Sequence, residues 1–275
     1  MEGVSLFCDV ALAARIERAE VDLVRSGNEA ARRRGATGIA IPVAGGIASN
    51  AEDGSPLNKL AGLGFDGVPT KAELDEIERA FGDLPVQAEI STLADPAVAA
   101  AFTGRGYQLV SFENVLGLSL DGGCERIAPP GITVRRTDED FEAWLDVLVD
   151  GFAHPDDQGV PSHEEFPCEI LANAVKDLSG PGSSRYVALR EGELVGAASC
   201  RMTEGVAQLN GAATAPAHRR RGVQTALLSA RLADLAEAGA DIAVIITQPG
   251  SKSQQNAQRR GFDLLYTRAI LVKQP

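Results

Sequence analysis

The chain is short of the residues that staple, ligate or anchor a protein. Four cysteines, Cys8, Cys124, Cys168 and Cys200, are scattered over 275 residues. No two have the spacing of a metal knuckle or of a disulfide framework. No metal is therefore expected, and a reducing cytoplasm is the expected compartment. No run approaches the roughly 20 apolar residues that cross a bilayer. The first residues, Met-Glu-Gly-Val-Ser-Leu-Phe-Cys-Asp, have neither the basic start nor the apolar core of an export signal, so no membrane partner is expected. Positive charge is scarce too: 26 Lys and Arg face 38 Asp and Glu, for a net charge of −12. That excludes a general nucleic-acid binder. The deficit covers both halves, with 11 basic against 19 acidic residues in 1–130 and 15 against 19 in 131–275.

What is present suffices for two cores, with 44% hydrophobic residues over a length that suits two domains. Residues 8–34 carry helical spacing through Val10, Ala13, Ile16, Ala19, Leu23 and Val24, and Gly35 stops the run. A strand is expected over 38–43, a loop over the Gly-, Ser- and Asn-rich 44–56, and a weak strand over 57–65. Thr70 with Glu73 forms a capping box for a helix to Phe81. Strand 86–92, a helix opened by Asp95-Pro96 and strand 108–120 follow. The segment Asp121 to Pro130 has Gly and Pro punctuation and no periodicity. It divides a first domain, 1–122, from a second, 131–275, with 123–130 as linker. The second half reads as strand 132–135, helix 138–152, a polar loop with His154, Asp156, Asp157 and His163, helix 169–178, and a hairpin turning at Glu191-Gly-Glu193. Strand 206–214, helix 222–238, a strand buried on both faces at 242–247, a short helix 251–260 and a last strand complete it.

One stretch organises the second half. Strand 206–214 ends in Ala213, Thr214 and Ala215, Pro216 breaks it, and Arg219, Arg220, Arg221 and Gly222 lead into a helix beginning Val223, Gln224, Thr225, Ala226. The first turn of a helix exposes unpaired N–H groups at the positive end of the macrodipole and receives anions. Arginines beside it add charge that meets phosphate oxygens. A local basic spot on an acidic protein suits a small anionic ligand.

The halves rhyme. Arg105-Gly-Tyr-Gln-Leu-Val matches Arg260-Gly-Phe-Asp-Leu-Leu, each preceded by strand, helix, strand and short helix. On these residues the second half resembles a GNAT-superfamily N-acetyltransferase domain. Its coenzyme signature, Arg/Gln-x-x-Gly-x-Gly/Ala, reads here Arg219-Arg-Arg-Gly222-Val-Gln224, with Gln224 departing from the last small residue. The first half resembles the same fold, but Asp66-Gly-Val-Pro-Thr-Lys-Ala replaces the arginine turn, so a degenerate copy is expected. The resemblance implies an α/β (α+β) architecture of two tandem domains, each a mixed, mostly antiparallel twisted sheet flanked by helices. It implies acetyl-coenzyme A as cosubstrate and a small-molecule or aminoacyl amine as acceptor, joined by direct attack in a ternary complex. Ala212, Ala213, Thr214 and Ala215 would hold the acyl and pantetheine groups. Arg219, Arg220, Arg221, Gly222, Val223, Gln224, Thr225 and Ala226 would cradle the pyrophosphate, and Ser251, Ser253 and Asn256 would flank the pantetheine arm. Proton-transfer candidates are Ser253, Asn256, Glu204 and His154. Asp156, Asp157 and His163 would receive a cationic acceptor. The tyrosine common near the Gly-Phe pair is missing, and strand 206–214 carries no carboxylate. A non-catalytic acyl-coenzyme A sensor or a protein-interaction module is thus the alternative. A monomer is slightly favoured over a dimer.

Overall fold

The computed structural model describes residues 5–155, 160 and 166–275. The first half contains α1 (Val10–Arg33), β1 (Ile39–Val43), β2 (Gly46–Asn50), β3 (Lys59–Ala61), α2 (Lys71–Phe81), β4 (Val86–Ser91), α3 (Pro96–Thr103) and β5 (Gln108–Ser119). The second contains β6 (Thr133–Arg136), α4 (Phe141–Ala153), α5 (Cys168–Leu178), β7 (Ser183–Arg190), β8 (Glu193–Thr203), β9 (Val206–Gln208), β10 (Ala212–Thr214), α6 (Val223–Glu237), β11 (Ile242–Thr247), α7 (Lys252–Arg259) and β12 (Asp263–Lys273). The expected mixed and mostly antiparallel architecture is what forms. Among the described residues no helix is long and apolar enough to cross a membrane.

Two expectations need correction. The segment 44–56 is not all loop, because Gly46–Asn50 folds back on β1 as an antiparallel strand, with Val43 opposite Gly46. The small residues that read as loop signals are what this strand needs. A Cβ at Gly46 would lie 2.3 Å from the carbonyl oxygen of Ala61. The second correction concerns strand 206–214, which is two strands, β9 and β10, separated by three residues.

Compactness divides the chain into two units that interleave along the sequence. The first comprises 1–116, 246–249 and 264–275; the second comprises 117–245 and 250–263. The final strand therefore packs with the first unit, running antiparallel beside β4 from Arg268 opposite Ser91 to Lys273 opposite Val86.

The first unit has the strand order β1-β2-β3-β4-β12-β5, with β3 and β4 parallel at Leu60 and Ala88. Its main core gathers Leu74, Ile77 and Phe81 of α2 and Phe102 of α3 against the sheet. Helix α2 begins where the capping box puts it, Thr70 and Glu73 each bonding the other's backbone N–H.

Beneath α1 lies a buried ionic network. Glu17 and Glu20 are 2% and 3% exposed, and Arg268 of β12 is fully buried. The Arg268 guanidinium reaches Glu17 at 2.8 Å and Glu89 at 3.3 Å, and Lys59 reaches Glu20 at 3.0 Å and Glu89 at 3.1 Å. Tyr266 donates to Glu17 at 2.8 Å, which makes its phenol part of this network. The surrounding carboxylates hold the Lys59 ammonium and the Arg268 guanidinium charged against the cost of burial.

The second unit has the order β6-β7-β8-β9-β11, with β10 also on β8. β9 and β11 are parallel, and the other described pairs are antiparallel.

Breaking a buried ion pair by removing one partner costs far more than the pair contributes, because a bare charge is left behind. Arg268→Ala should therefore lower unfolding free energy by about 3–5 kcal/mol, read from the denaturant midpoint. A loss below about 1 kcal/mol would show that water already reaches Glu17 and Glu89.

Candidate active site

The strand before the arginine turn is bent by one extra residue. β9 pairs β8 with Gln208 opposite Arg201, and β10 pairs β8 with Ala212 opposite Ala198. Leu209, Asn210 and Gly211 thus face only Ser199 and Cys200, which is a β-bulge. The Ser199 N–H is shared between the carbonyls of Asn210 at 3.2 Å and Gly211 at 3.0 Å, and its hydroxyl donates to Asn210 at 3.1 Å. Gly211 takes φ +41°, which a side chain would disfavour.

The bulge also ends pairing on the other flank. β11 follows β9 to Val244 opposite Gln208, and the Leu209 N–H still reaches the Val244 carbonyl at 3.0 Å. Beyond that point, among the described residues, β10 pairs with β8 alone. The Ala215 N–H donates to Val195 at 3.0 Å. Antiparallel alternation then turns Ala213 toward β8 as well, and turns the main-chain groups of Ala212 and Thr214 outward. Ala213 and Ala215 were expected to hold a ligand through their backbone. Their polar groups are spent on β8, and the outward pair is Ala212 and Thr214.

A single turn of 3₁₀ helix, Pro216–His218, follows β10. The backbone is left-handed at Arg220, φ +62°, and at Gly222, φ +86°. A Cβ at Gly222 would sit 3.0 Å from Pro129, so close approach as well as dihedral requires glycine. The first bond into α6 runs from the Ala226 N–H to the Gly222 carbonyl at 3.0 Å, and among the described residues no side chain caps the helix. The N–H groups of Val223, Gln224 and Thr225 therefore stand ahead of the helical ladder as anion donors. Gln224 is not idle: its amide donates to the Thr214 hydroxyl at 3.1 Å, tying the first turn of α6 to β10.

The three arginines separate. Arg220 and Arg221 are exposed. Arg219 turns back onto the end of α4 and donates to the carbonyls of Pro155 at 3.3 Å, Gly151 at 3.4 Å and His154. It holds the turn through protein, where a phosphate contact was expected. His218 faces the β7–β8 hairpin, with Nε2 3.5 Å from Glu193.

Helix α4 lies across β10. A Cβ on Gly151 would be 2.4 Å from the Ala213 Cβ. Trp144 of the same helix is fully buried, stacks on Phe141 and donates its indole N–H to the Ala198 carbonyl at 3.1 Å. Gly151 carries no motif signal in the sequence. Its only trace is a glycine inside an amphipathic helix.

The remaining candidates are dispersed. Ser251 is the N-cap of α7, accepting from the Gln254 N–H at 3.2 Å. Ser253 is exposed and Asn256 half-buried on that helix. Glu204 sits exposed at the tip of the β8–β9 turn with φ +47°. Eight residues of strand separate it from Ala212, on the order of 20 Å, which removes it from the proton-transfer candidates. His154 caps α4, its Nδ1 3.0 Å from the Asp150 carbonyl. Asp156, Asp157 and His163 lie outside the described residues.

The first copy lacks each of these features. The N-terminus of α2 is closed by its capping box. After β3 the chain packs on the start of α3, where the Gly64 carbonyl accepts from the Asp95 N–H at 3.0 Å. A Cβ at Gly64 would lie 2.7 Å from Ala94, so this stretch is packed closely against the start of α3.

Gly151→Ala should force α4 away from β10 and cost about 1–3 kcal/mol. A thermal midpoint equal to that of the parent would show that the contact yields freely.

The family model "Acetyltransferase (GNAT) family" matches residues 142–262. No curated protein matches the chain by sequence. Among solved structures, a GCN5-related N-acetyltransferase from Kribbella flavida superposes with TM-score 0.68 at 22% identity, over 95% of each chain. A tandem GNAT protein from the clavulanic acid biosynthesis pathway superposes with TM-score 0.59 at 14% identity, over 83% of this chain and 78% of that one. At such identities the likeness is one of fold. Residues 142–262, which hold the bulged strand, the arginine turn and α6, are therefore a domain of the GNAT acetyltransferase family, and the chain around them has the fold of GNAT proteins, a tandem one among them.

Proposed function

We propose that the second unit transfers the acetyl group of acetyl-coenzyme A to the amine of a small molecule or an aminoacyl group, by direct attack in a ternary complex. The observation that carries this is the one-sided pairing of β10, followed at once by an uncapped helix N-terminus. A ligand can add to the free side of β10 as a strand would, with its anionic end on α6. The residues fit the group. Ala212 and Thr214 offer outward backbone groups, Val223 to Thr225 offer N–H donors, and Arg220 and Arg221 stand exposed beside them. Arg219 and Gln224 serve by holding the turn and β10 in place, and Thr225 adds an exposed hydroxyl.

Acetyl-coenzyme A supplies an activated thioester, so the protein need only orient, desolvate and stabilise developing charge. The outward N–H groups of β10 are oriented to donate to the acyl oxygen. Direct attack is favoured over an acyl-enzyme because Cys200, across β8 from the bulge, is a poor nucleophile. It is 1% exposed, and burial pushes its thiol up to about 11. Glu204 is too distant to act as base. Ser253 and Asn256 on α7 remain as polar contacts along the arm of the coenzyme, and His154 is at the end of α4 where Arg219 docks.

Arg221→Ala and Arg220→Ala should each weaken coenzyme A binding, by about 10- to 100-fold if one charge-assisted bond is lost, measured by calorimetry. Unchanged affinity in both variants would remove the phosphate assignment. In the whole chain, acetyl-coenzyme A with mixed small amines and aminoacyl compounds should release free thiol. Tight coenzyme binding with no release from any amine class would overturn the transfer reaction and leave a binding module.

A further inference from the structure

We propose that Arg231 is a positioning residue of the acyl-transfer site, holding through Ser199 the bulge that frees β10. The inference rests on the acyltransferase reading above and adds to it a residue outside the coenzyme signature.

Arg231 lies in the middle of α6 and is 3% exposed. Its described partners are two backbone carbonyls and no carboxylate: Nη1 donates to Ser199 at 2.9 Å and Nε to Leu227 at 3.2 Å. The titratable groups facing it are the Cys200 thiol and the Tyr186 phenol, and burial pushes the guanidinium down to about 10. Tyr186 in turn donates to Asp234 at 2.9 Å, so that carboxylate is engaged elsewhere. A buried cation held by carbonyls alone is costly, and a methionine of similar length would fill the same space without that cost. Stability does not account for an arginine here.

Geometry gives a reason. The Ser199 carbonyl held by Arg231 belongs to the residue whose N–H bridges Asn210 and Gly211 and whose hydroxyl donates to Asn210. Arg231 thus pins the β8 side of the one irregularity in this strand pair, and the irregularity decides where β10 leaves β11. The same helix opens on the arginine turn. From Gly222 to Arg231 is nine residues, about 13 Å of helix. One rigid element therefore spaces the anion end of the site from the bulge, and Arg231 is its second point of attachment.

The test uses the full chain with Arg231→Met, Arg231→Lys and Ser199→Ala. For Arg231→Met, coenzyme A should bind within about twofold of the parent, because the α6 N-terminus is untouched. The thermal midpoint should be equal or higher. Thiol release from acetyl-coenzyme A with the amine mixture should fall by roughly 10- to 100-fold, the scale of an ångström-sized misplacement. The carbonyl resonance of bound [1-¹³C]acetyl-coenzyme A should move, and Arg231→Lys, which keeps a donor, should restore part of both. Turnover and resonance equal to the parent would overturn the proposal, as would a fall in turnover matched by the loss of folded protein. If Arg231→Met does not fold, Ser199→Ala decides. It removes one bond to Asn210 and should shift resonance and turnover in the same direction; no shift overturns the assignment. Failure of the parent chain to bind coenzyme A sinks the acyltransferase reading. Binding with an unaffected Arg231→Met sinks only the role of Arg231.

Discussion

One extra residue between Gln208 and Ala212 decides what the second unit can do. Without it, the strand would pair β8 and β11 along its whole length, and every backbone group would be satisfied within the sheet. With it, the strand bends at Ser199, β11 stops at Val244, and the outward groups of Ala212 and Thr214 need a partner. A bulge costs a ladder bond and tolerates an unfavourable φ at Gly211. The cost is local, and the consequence extends to everything C-terminal of it. The direction of β10 aims the arginine turn, and the turn aims α6. Gln224, Arg219 and Trp144 all act on that short path, from α6, from the turn and from α4.

The first unit keeps the order of elements and lacks the bulge. Its equivalent helix closes its own N-terminus with Thr70 and Glu73, and the chain after β3 is packed against α3. What it has in place of a cleft is a buried ionic network that draws on α1, β3, β4 and β12. Four carboxylates, Glu17, Glu20, Glu89 and Glu113, surround Arg268 and Lys59. Such a network is weak support for stability in itself. Its effect is specificity: only a strand carrying arginine at this register can lie beside β4 without stranding Glu17. Glu89 also has Lys59, so it is Glu17 that selects the last strand for the first unit, across 251 residues of sequence.

Periodicity and local chemistry made most elements legible. The capping box at Thr70, the proline at the start of α3, the hairpin at Gly192 and the buried run of β11 all form where side-chain spacing puts them. Boundaries failed where tertiary contacts override composition. Gly46–Asn50 reads as loop because its small residues serve a close backbone approach to Ala61 and not a turn. The break at 209–211 is invisible to alternation, since an inserted residue changes register without changing composition. The burial of Glu17 and Glu20 is not legible locally, because their partners Arg268 and Lys59 lie far along the chain. At the site, the anion turn was readable because it is contiguous. Gly151 and Arg231 were not, because each acts across strands or helices distant in sequence.

The arginine turn shows how little identity alone decides. Arg219, Arg220 and Arg221 are equivalent by composition and adjacent in sequence, and a basic turn read from sequence assigns all three to one anion. Backbone conformation separates them. Arg220 adopts a left-handed φ of +62°, a state disfavoured by roughly 1 kcal/mol for a residue with a Cβ. That reversal sends the side chain before it toward α4, where the last carbonyls of a helix carry partial negative charge and lack partners. Arg219 satisfies them as a C-terminal cap made from another part of the chain. Arg220 and Arg221 are left exposed beside the opposite pole of a second helix, where the first N–H groups of α6 have no side-chain cap among the described residues. A cation therefore joins the C-terminal end of α4 to the N-terminal end of α6. One helix pole is thus closed by protein while the other carries no side-chain cap among the described residues, and that difference is what sets the two ends of the turn apart.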